Sequence, residues 1–221
     1  MLNKRIHPLR NGFTLAELLV VIAIIGIMFA IALPALLNLA GSSKLDGAAN
    51  AVHAAAKLAR QHAIANNQPA YLVLNEGQTG NNLAYRAYAV FSINIHTNAV
   101  TQEAGYFLTG WEPLPVGVVF DDQAGDAYNA FSYSPQDDWS GGVSKKNRLK
   151  IQGKEYTVLG FKPNGEAGAR THWIYLAEGT LSGGAPLVTG RQGKQIRFDL
   201  TGKSKIIDYT YDDGEAQELG D

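Results

Sequence analysis

The sequence predicts an α+β fold. One long N-terminal helix, membrane-spanning in its first half, packs on a C-terminal antiparallel β-sheet or β-sandwich head. Three observations carry this expectation. No charge occurs between Glu17 and Lys44, and every residue from Leu18 to Leu33 is apolar or Gly26. Apolar residues then recur at steps of four and three from Leu45 to Ala63, the spacing of one helix face. Beyond Pro69 the pattern changes to short β-type runs separated by Gly, Asn, Asp and Pro, as strands joined by turns require.

The 221 residues are 46% hydrophobic and 18% charged, with a mean hydropathy of −0.10. These values exclude a disordered chain and a polytopic membrane protein. With 19 Lys+Arg against 20 Asp+Glu, no charge excess points to nucleic acid as the main partner. The absence of cysteine excludes disulfides, thiolate zinc sites and cysteine nucleophiles, and suits either redox compartment.

Residues 1–12 carry Lys4, Arg5 and Arg10 and no acid. The uncharged run 18–43 measures roughly 39 Å as a helix, against about 30 Å for a bilayer core. The positive flank is expected to stay cytoplasmic, which puts the bulk of the chain outside. An ordinary secretory signal is the competing reading, with Ala30-Ile31-Ala32 as its cleavage site. The run exceeds the usual apolar segment of about 7–15 residues, and Glu17 stands at its entrance. A carboxylate costs about 2.5–3.5 kcal/mol at the bilayer centre and less near the edge, so Glu17 is expected to have a partner. Pro34 removes a backbone donor and predicts a kink or local unwinding.

The second half of the helix presents Leu45, Ala49, Val52, Ala56, Ala59 and Ala63 as one stripe, and Asn66-Asn67-Gln68-Pro69 ends it. Strands are expected at Tyr71–Leu74, Tyr85–Ser92, Val100–Phe107, Val116–Phe120, Tyr156–Phe161, Trp173–Leu176, Gln195–Leu200 and Ile206–Tyr211. Residues 121–155 are polar and are expected to form a long exposed excursion, and the acidic tail Asp212-Asp213-Gly214-Glu215 to be frayed and solvated. The expected organisation is therefore 1–12, a leader; 13–43, the membrane half of the helix; 44–67, its amphipathic half; and 68–221, the β-rich head.

Gly12-Phe13-Thr14-Leu15-Ala16-Glu17, after a basic leader and before a long apolar helix, resembles the signal of type IV pilins and type II secretion pseudopilins. The resemblance implies that a prepilin peptidase cuts between Gly12 and Phe13 and that Phe13 is N-methylated. It also implies that Glu17 meets the terminal amine of a neighbouring subunit during assembly on an inner-membrane platform. The protein would then be single-pass in the bacterial inner membrane, with its head in the periplasm, before entering a pilus or pseudopilus among other pilins. Leu58-Ala59-Arg60-Gln61-His62-Ala63-Ile64, Leu114-Pro115-Val116-Gly117-Val118 and Phe161-Lys162-Pro163-Asn164-Gly165 are similar to segments of the GspH/FimT branch, which implies a minor subunit near the filament tip.

No catalytic constellation is present, and no cofactor is expected. His53 and His62 are nine residues apart, on opposite helix faces, and cannot share a metal. Asp121, Asp122 and Asp126 are read as a solvated loop, with a calcium ion as the alternative. Two basic groups remain: Lys145, Lys146, Arg148, Lys150 and Lys154, and Arg191, Lys194, Arg197, Lys203 and Lys205. Some FimT-like proteins bind DNA through a Gly-Arg-x-Arg motif. Here Gly190-Arg191-Gln192-Gly193 lacks the second arginine and supplies Lys194 one place later. DNA capture through the second group stands as one alternative function, and a soluble secreted protein with an ordinary signal peptide as another.

Overall fold

The computed structural model describes residues 15–77, 83–93, 105–124, 129–131, 148–167, 172–212 and 215–218, except for the side chains of 32–42, 172, 212 and 215–218. The chain divides into two compact units, Met1–Gly41 and Ser42–Asp221. Helix α1 covers Leu15–Asn66 and is continuous through Pro34. The side chains around Pro34, with the kink expected there, lie outside the described residues.

In the second unit every member of the expected stripe is buried, from Leu45 through Ala49, Val52, Ala56 and Ala59 to Ala63. Ala48 and Ala55 join them, and so many alanines let the helix lie close to its sheets. The helix stops as the sequence requires. Asn67 takes a left-handed φ of 51°, Gln68 N donates to the Ala63 carbonyl at 3.2 Å, and Pro69 cannot continue the ladder.

The strands that follow are β1 (Ala70–Leu74), β2 (Ala87–Ile93), β3 (Gly105–Phe107), β4 (Glu112–Pro113) and β5 (Val118–Phe120). Then come β6 (Arg148–Ile151), β7 (Lys154–Phe161), β8 (His172–Ser182), β9 (Ala185–Phe198), β10 (Ser204–Asp212) and β11 (Glu215–Glu218). They form two antiparallel sheets. One has the order β3-β2-β1-β7-β6, with β4 also on β2, and the other β11-β10-β9-β8-β5. The main core joins the α1 stripe to the inner faces of both sheets through Leu72, Leu159, Phe161, Ile174, Ile196 and Phe198. Strand β1 is buried on both faces, because Tyr71 and Val73 enter a second cluster with Phe91, Leu149 and Tyr156. Its unbroken apolar run follows from that position.

The α+β expectation holds, and several details change. The 121–155 stretch is not wholly an exposed excursion. Arg148–Ile151 pairs with β7, and Leu149 and Ile151 are buried, because that short segment alternates polar and apolar. The acidic tail is not frayed where described, since Asp212 pairs with Glu215 and Tyr209 with Glu218. Strand β9 begins ten residues before the expected start at Gln195. Its first half forms a ribbon with β8 around Gly183-Gly184, whose φ values of 61° and 88° suit a two-residue hairpin turn. Tyr85 lies in a turn before β2, at φ 50°, and Leu200 lies in the turn after β9. Residues 94–104 lie outside the described set.

Candidate functional site

Two regions carry functional side chains, one in each unit. In the first unit, every described residue from Leu15 to Ile31 is exposed. Leu15 is 86% and Ile31 74% accessible. Such an apolar surface needs cover from lipid or from other helices. Glu17 occupies the first turn of α1, where the positive end of the helix dipole favours a carboxylate. Its side chain is exposed. Gly12 and Phe13 lie outside the described residues. Among the described residues, no helix is long and apolar enough to cross a membrane; the expected span, 18–43, includes the undescribed side chains of 32–42.

In the second unit, three polar residues tie α1 to the second sheet. They are Asp46, His53 and Arg60, spaced seven apart and therefore on one line of the helix, beside Leu45, Val52 and Ala59. Asp46 Oδ1 accepts from Lys194 Nζ on β9 at 2.6 Å, and Asp208 on β10 binds the same ammonium. Burial works against that charge, but Asp208 and Asp46 outweigh it and hold the ammonium above its ordinary range. His53 Nε2 shares a 2.6 Å hydrogen bond with Ser204 Oγ at the start of β10. Burial, assisted by Lys57, holds the imidazole below its ordinary value and so favours the neutral ring. Arg60 donates through Nε to the Gly165 carbonyl at 2.8 Å and through Nη2 to the Thr201 carbonyl at 3.2 Å.

The prokaryotic N-terminal methylation motif matches residues 8–33. The chain is type IV pilin-like. Comparison with curated proteins and with solved structures finds no match. The motif implies a membrane-anchored subunit that meets other pilins and a prepilin peptidase.

In the second unit, the five cations of the second basic group do not share one environment. Lys194 is neutralised by the two carboxylates above. Arg191 is exposed on the β8–β9 ribbon. Arg197 lies 4.2 Å from the centre of the Trp173 ring and donates from Nε to Gln195 Oε1 at 2.6 Å. Arg197, Lys203 and Lys205 line one concavity at the β9–β10 turn, with Phe198, Asp199 and Ser204. In the first basic group, Arg148 pairs with Glu76 at 2.6 Å, Lys150 and Lys154 are exposed, and Lys145 and Lys146 lie outside the described residues.

Asp121 is fully buried rather than solvated. Its Oδ1 accepts from the backbone N–H groups of Gln123 and Ala124, which makes it the cap of a turn. Burial raises its pKa more than those bonds lower it. Asp122 is part-exposed, and Asp126 lies outside the described residues. Among the described residues, no group of three metal-binding side chains is arranged around one point. The ties made by Asp46, His53 and Arg60 escaped sequence reasoning, although their seven-residue spacing was a usable signal.

Proposed function

We propose that the chain is a minor subunit of a type II secretion pseudopilus or a type IV pilus, of the GspH/FimT type, and that it performs no catalysis. Prepilin peptidase cuts between Gly12 and Phe13, and Phe13 is methylated. The first half of α1 holds the protein in the inner membrane with its head on the periplasmic side until it is extracted into the filament. The observation that carries this reading is the exposed apolar surface of Leu15–Ile31, headed by Glu17 and lying inside the matched motif. An isolated carboxylate and an isolated ammonium are both costly in an apolar medium. They neutralise each other only when a second subunit arrives in register.

Mass spectrometry of the N-terminal peptide from the membrane fraction tests the reading. The expected species starts at monomethylated Phe13. An N-terminus beyond Ala30 would instead indicate an ordinary secretory signal and a soluble protein.

A further inference from the structure

We infer that the end of the head at which α1 enters it is a lipid-docking surface. Its ligand is the bilayer interface, and Val116 and Leu187 are the side chains that enter it. The inference rests on the proposed membrane role of residues 18–43 and adds a second contact, made by the head itself.

The ties between α1 and the second sheet give the head a direction. From His53 back to Asp46 along the helix, the partners pass from Ser204 to Lys194. Ser204 is opposite Phe198, which is opposite His172 of β8, whereas Lys194 is opposite Leu176. Beyond Leu176, β8 therefore runs on in the direction of Ser42. Three strand residues to Gly179 cover about 10 Å, and four helical residues from Asp46 to Ser42 about 6 Å. Gly179 thus stands at or beyond the level where the helix enters the head.

Two segments meet at Gly179. Its N–H donates to the Gly117 carbonyl at 2.9 Å, and a Cβ on it would stand 2.6 Å from the Leu187 carbonyl oxygen. Val116, next to Gly117, is 79% accessible and Leu187 52%. A single exposed aliphatic side chain is ordinary on a protein surface. Here both stand in runs without any charge, 113–120 and 179–190. Charge resumes at Glu112, Asp121, Glu178 and Arg191, and these groups stay in water. A chain tethered at this end by a membrane run holds the surface at a high effective concentration of lipid. Docking is shallow, because β9 pairs with β10 only from Gln192 onward. The outer edge of its first half keeps backbone groups that need water, which stops entry at the headgroup boundary.

Fluorescence quenching of the full chain in vesicles of phosphatidylcholine and phosphatidylglycerol tests it. The chain has no cysteine, so Val116→Cys, Leu187→Cys, Leu200→Cys and Ile22→Cys each take one environment-sensitive label. Leu200 is the control: it is as exposed as Leu187, at 52%, but its neighbour Thr201 meets Arg60, at the other end of the head. Nitroxide-bearing lipid should quench the labels at Val116 and Leu187 and leave that at Leu200 bright, and iodide should do the reverse. Adding Val116→Ser to Leu187→Cys should lower the ratio of docked to free head about fivefold. The label at Ile22 reads the membrane role separately. Quenching at Ile22 but not at Val116 and Leu187 would overturn the docking surface and leave the membrane role standing, and no quenching at Ile22 would overturn both. Shielding from iodide without lipid quenching would assign the surface to a protein contact, and equal quenching at Leu200 would show lipid contact without a defined surface. Either result overturns the proposal. Circular dichroism of each variant confirms that the head stays folded.

Discussion

Arg60 Nε donates to the Gly165 carbonyl oxygen at 2.8 Å, which joins the last turns of α1 to the turn that follows β7. The two segments that meet here are Leu58–Ile64 and Phe161–Gly165, far apart in the chain and both singled out from the sequence. Their pairing has a steric reason. Gly165 has a φ of 83°, and a Cβ on it would stand 2.7 Å from Ile64 Cδ1. Gly202, at φ 75°, lies so close that a Cβ there would collide with the Gly165 carbonyl oxygen and crowd Arg60 Nε.

Gly202→Ala should therefore destabilise the head by more than the about 1–2 kcal/mol that a left-handed residue costs alone. Gly153→Ala is the control, because φ is 81° there but the added Cβ meets open space. Thermal unfolding of the two variants should separate them, at about 2–4 °C per kcal/mol for a chain of this size. Arg60→Ala, which strips a partner from the buried Gly165 carbonyl, should cost about 1–3 kcal/mol. Equal melting temperatures for Gly202→Ala and Gly153→Ala would contradict the close packing.

The Asp46–Lys194 tie is partly wet. Lys194 is 18% exposed, but Asp46 is 53% and Asp208 57% exposed. Solvent screening limits what the pair contributes. A double-mutant cycle with Asp46→Asn and Lys194→Gln should give a coupling of about 1 kcal/mol or less, shrinking further in about 1 M salt. A salt-independent coupling of several kcal/mol would show that the pair is effectively dry.

His53 should make stability depend on pH. Burial, then Lys57, lowers its pKa from 6.5, so the unfolded chain takes up this proton at a higher pH than the folded one. Between the two values the unfolded state binds more protons, and stability rises with pH. The contribution is thus complete above 6.5 and is lost as pH falls below it towards the folded value. Glu76 and Asp121 act in the opposite sense, because burial raises both carboxyls above their ordinary range. Their protonation relieves the folded state at lower pH. Denaturant melts between pH 7 and pH 5 should show a declining midpoint in the native chain and a flatter one in His53→Gln. Identical slopes would remove His53 from the account.

Glu17 should act in assembly rather than in processing. It lies four residues after the expected N-terminus, about one helical turn. Glu17→Val should leave cleavage and membrane targeting intact while reducing co-purification with partner pilins. Glu17→Asp keeps the charge but shortens its reach by one methylene, so an intermediate defect is expected. Undiminished co-purification of Glu17→Val would defeat the pairing argument.

What the sequence made legible was whatever has a period. The Leu45–Ala63 stripe repeats with the helix and emerged with every member buried. The apolar cores of most expected strands fall within observed strands, but several edges differ, as at Tyr85, Leu200 and the start of β9, and the expected strand Val100–Phe107 is described only over 105–107. The first half of β9, Ala-Pro-Leu-Val-Thr-Gly-Arg-Gln-Gly, has no clean alternation, and only its ladder with β8 makes it a strand. Strand β11 contains no large apolar residue and depends on pairing with β10. Arg148–Ile151 does alternate and was obscured by polar neighbours. The environments of Lys194 and Lys205 were inaccessible for a different reason: both are lysines in one charged stretch, and only the fold brings Asp46 to the first and leaves the second facing Arg197.

The seven-residue spacing of Asp46, His53 and Arg60 also has a mechanical meaning. Seven residues advance a helix by about 10.5 Å, so the three ties sit at successive heights along α1. Tension directed along the helix axis loads all of them together, in shear, and the head yields only if they fail at once. Tension across the axis would open them one after another, like a peeled strip. A force carried along residues 44–66 of α1 is the first kind of load. Pulling single molecules from the two directions should give the higher rupture force along the axis, and equal forces would assign the resistance to the apolar stripe alone.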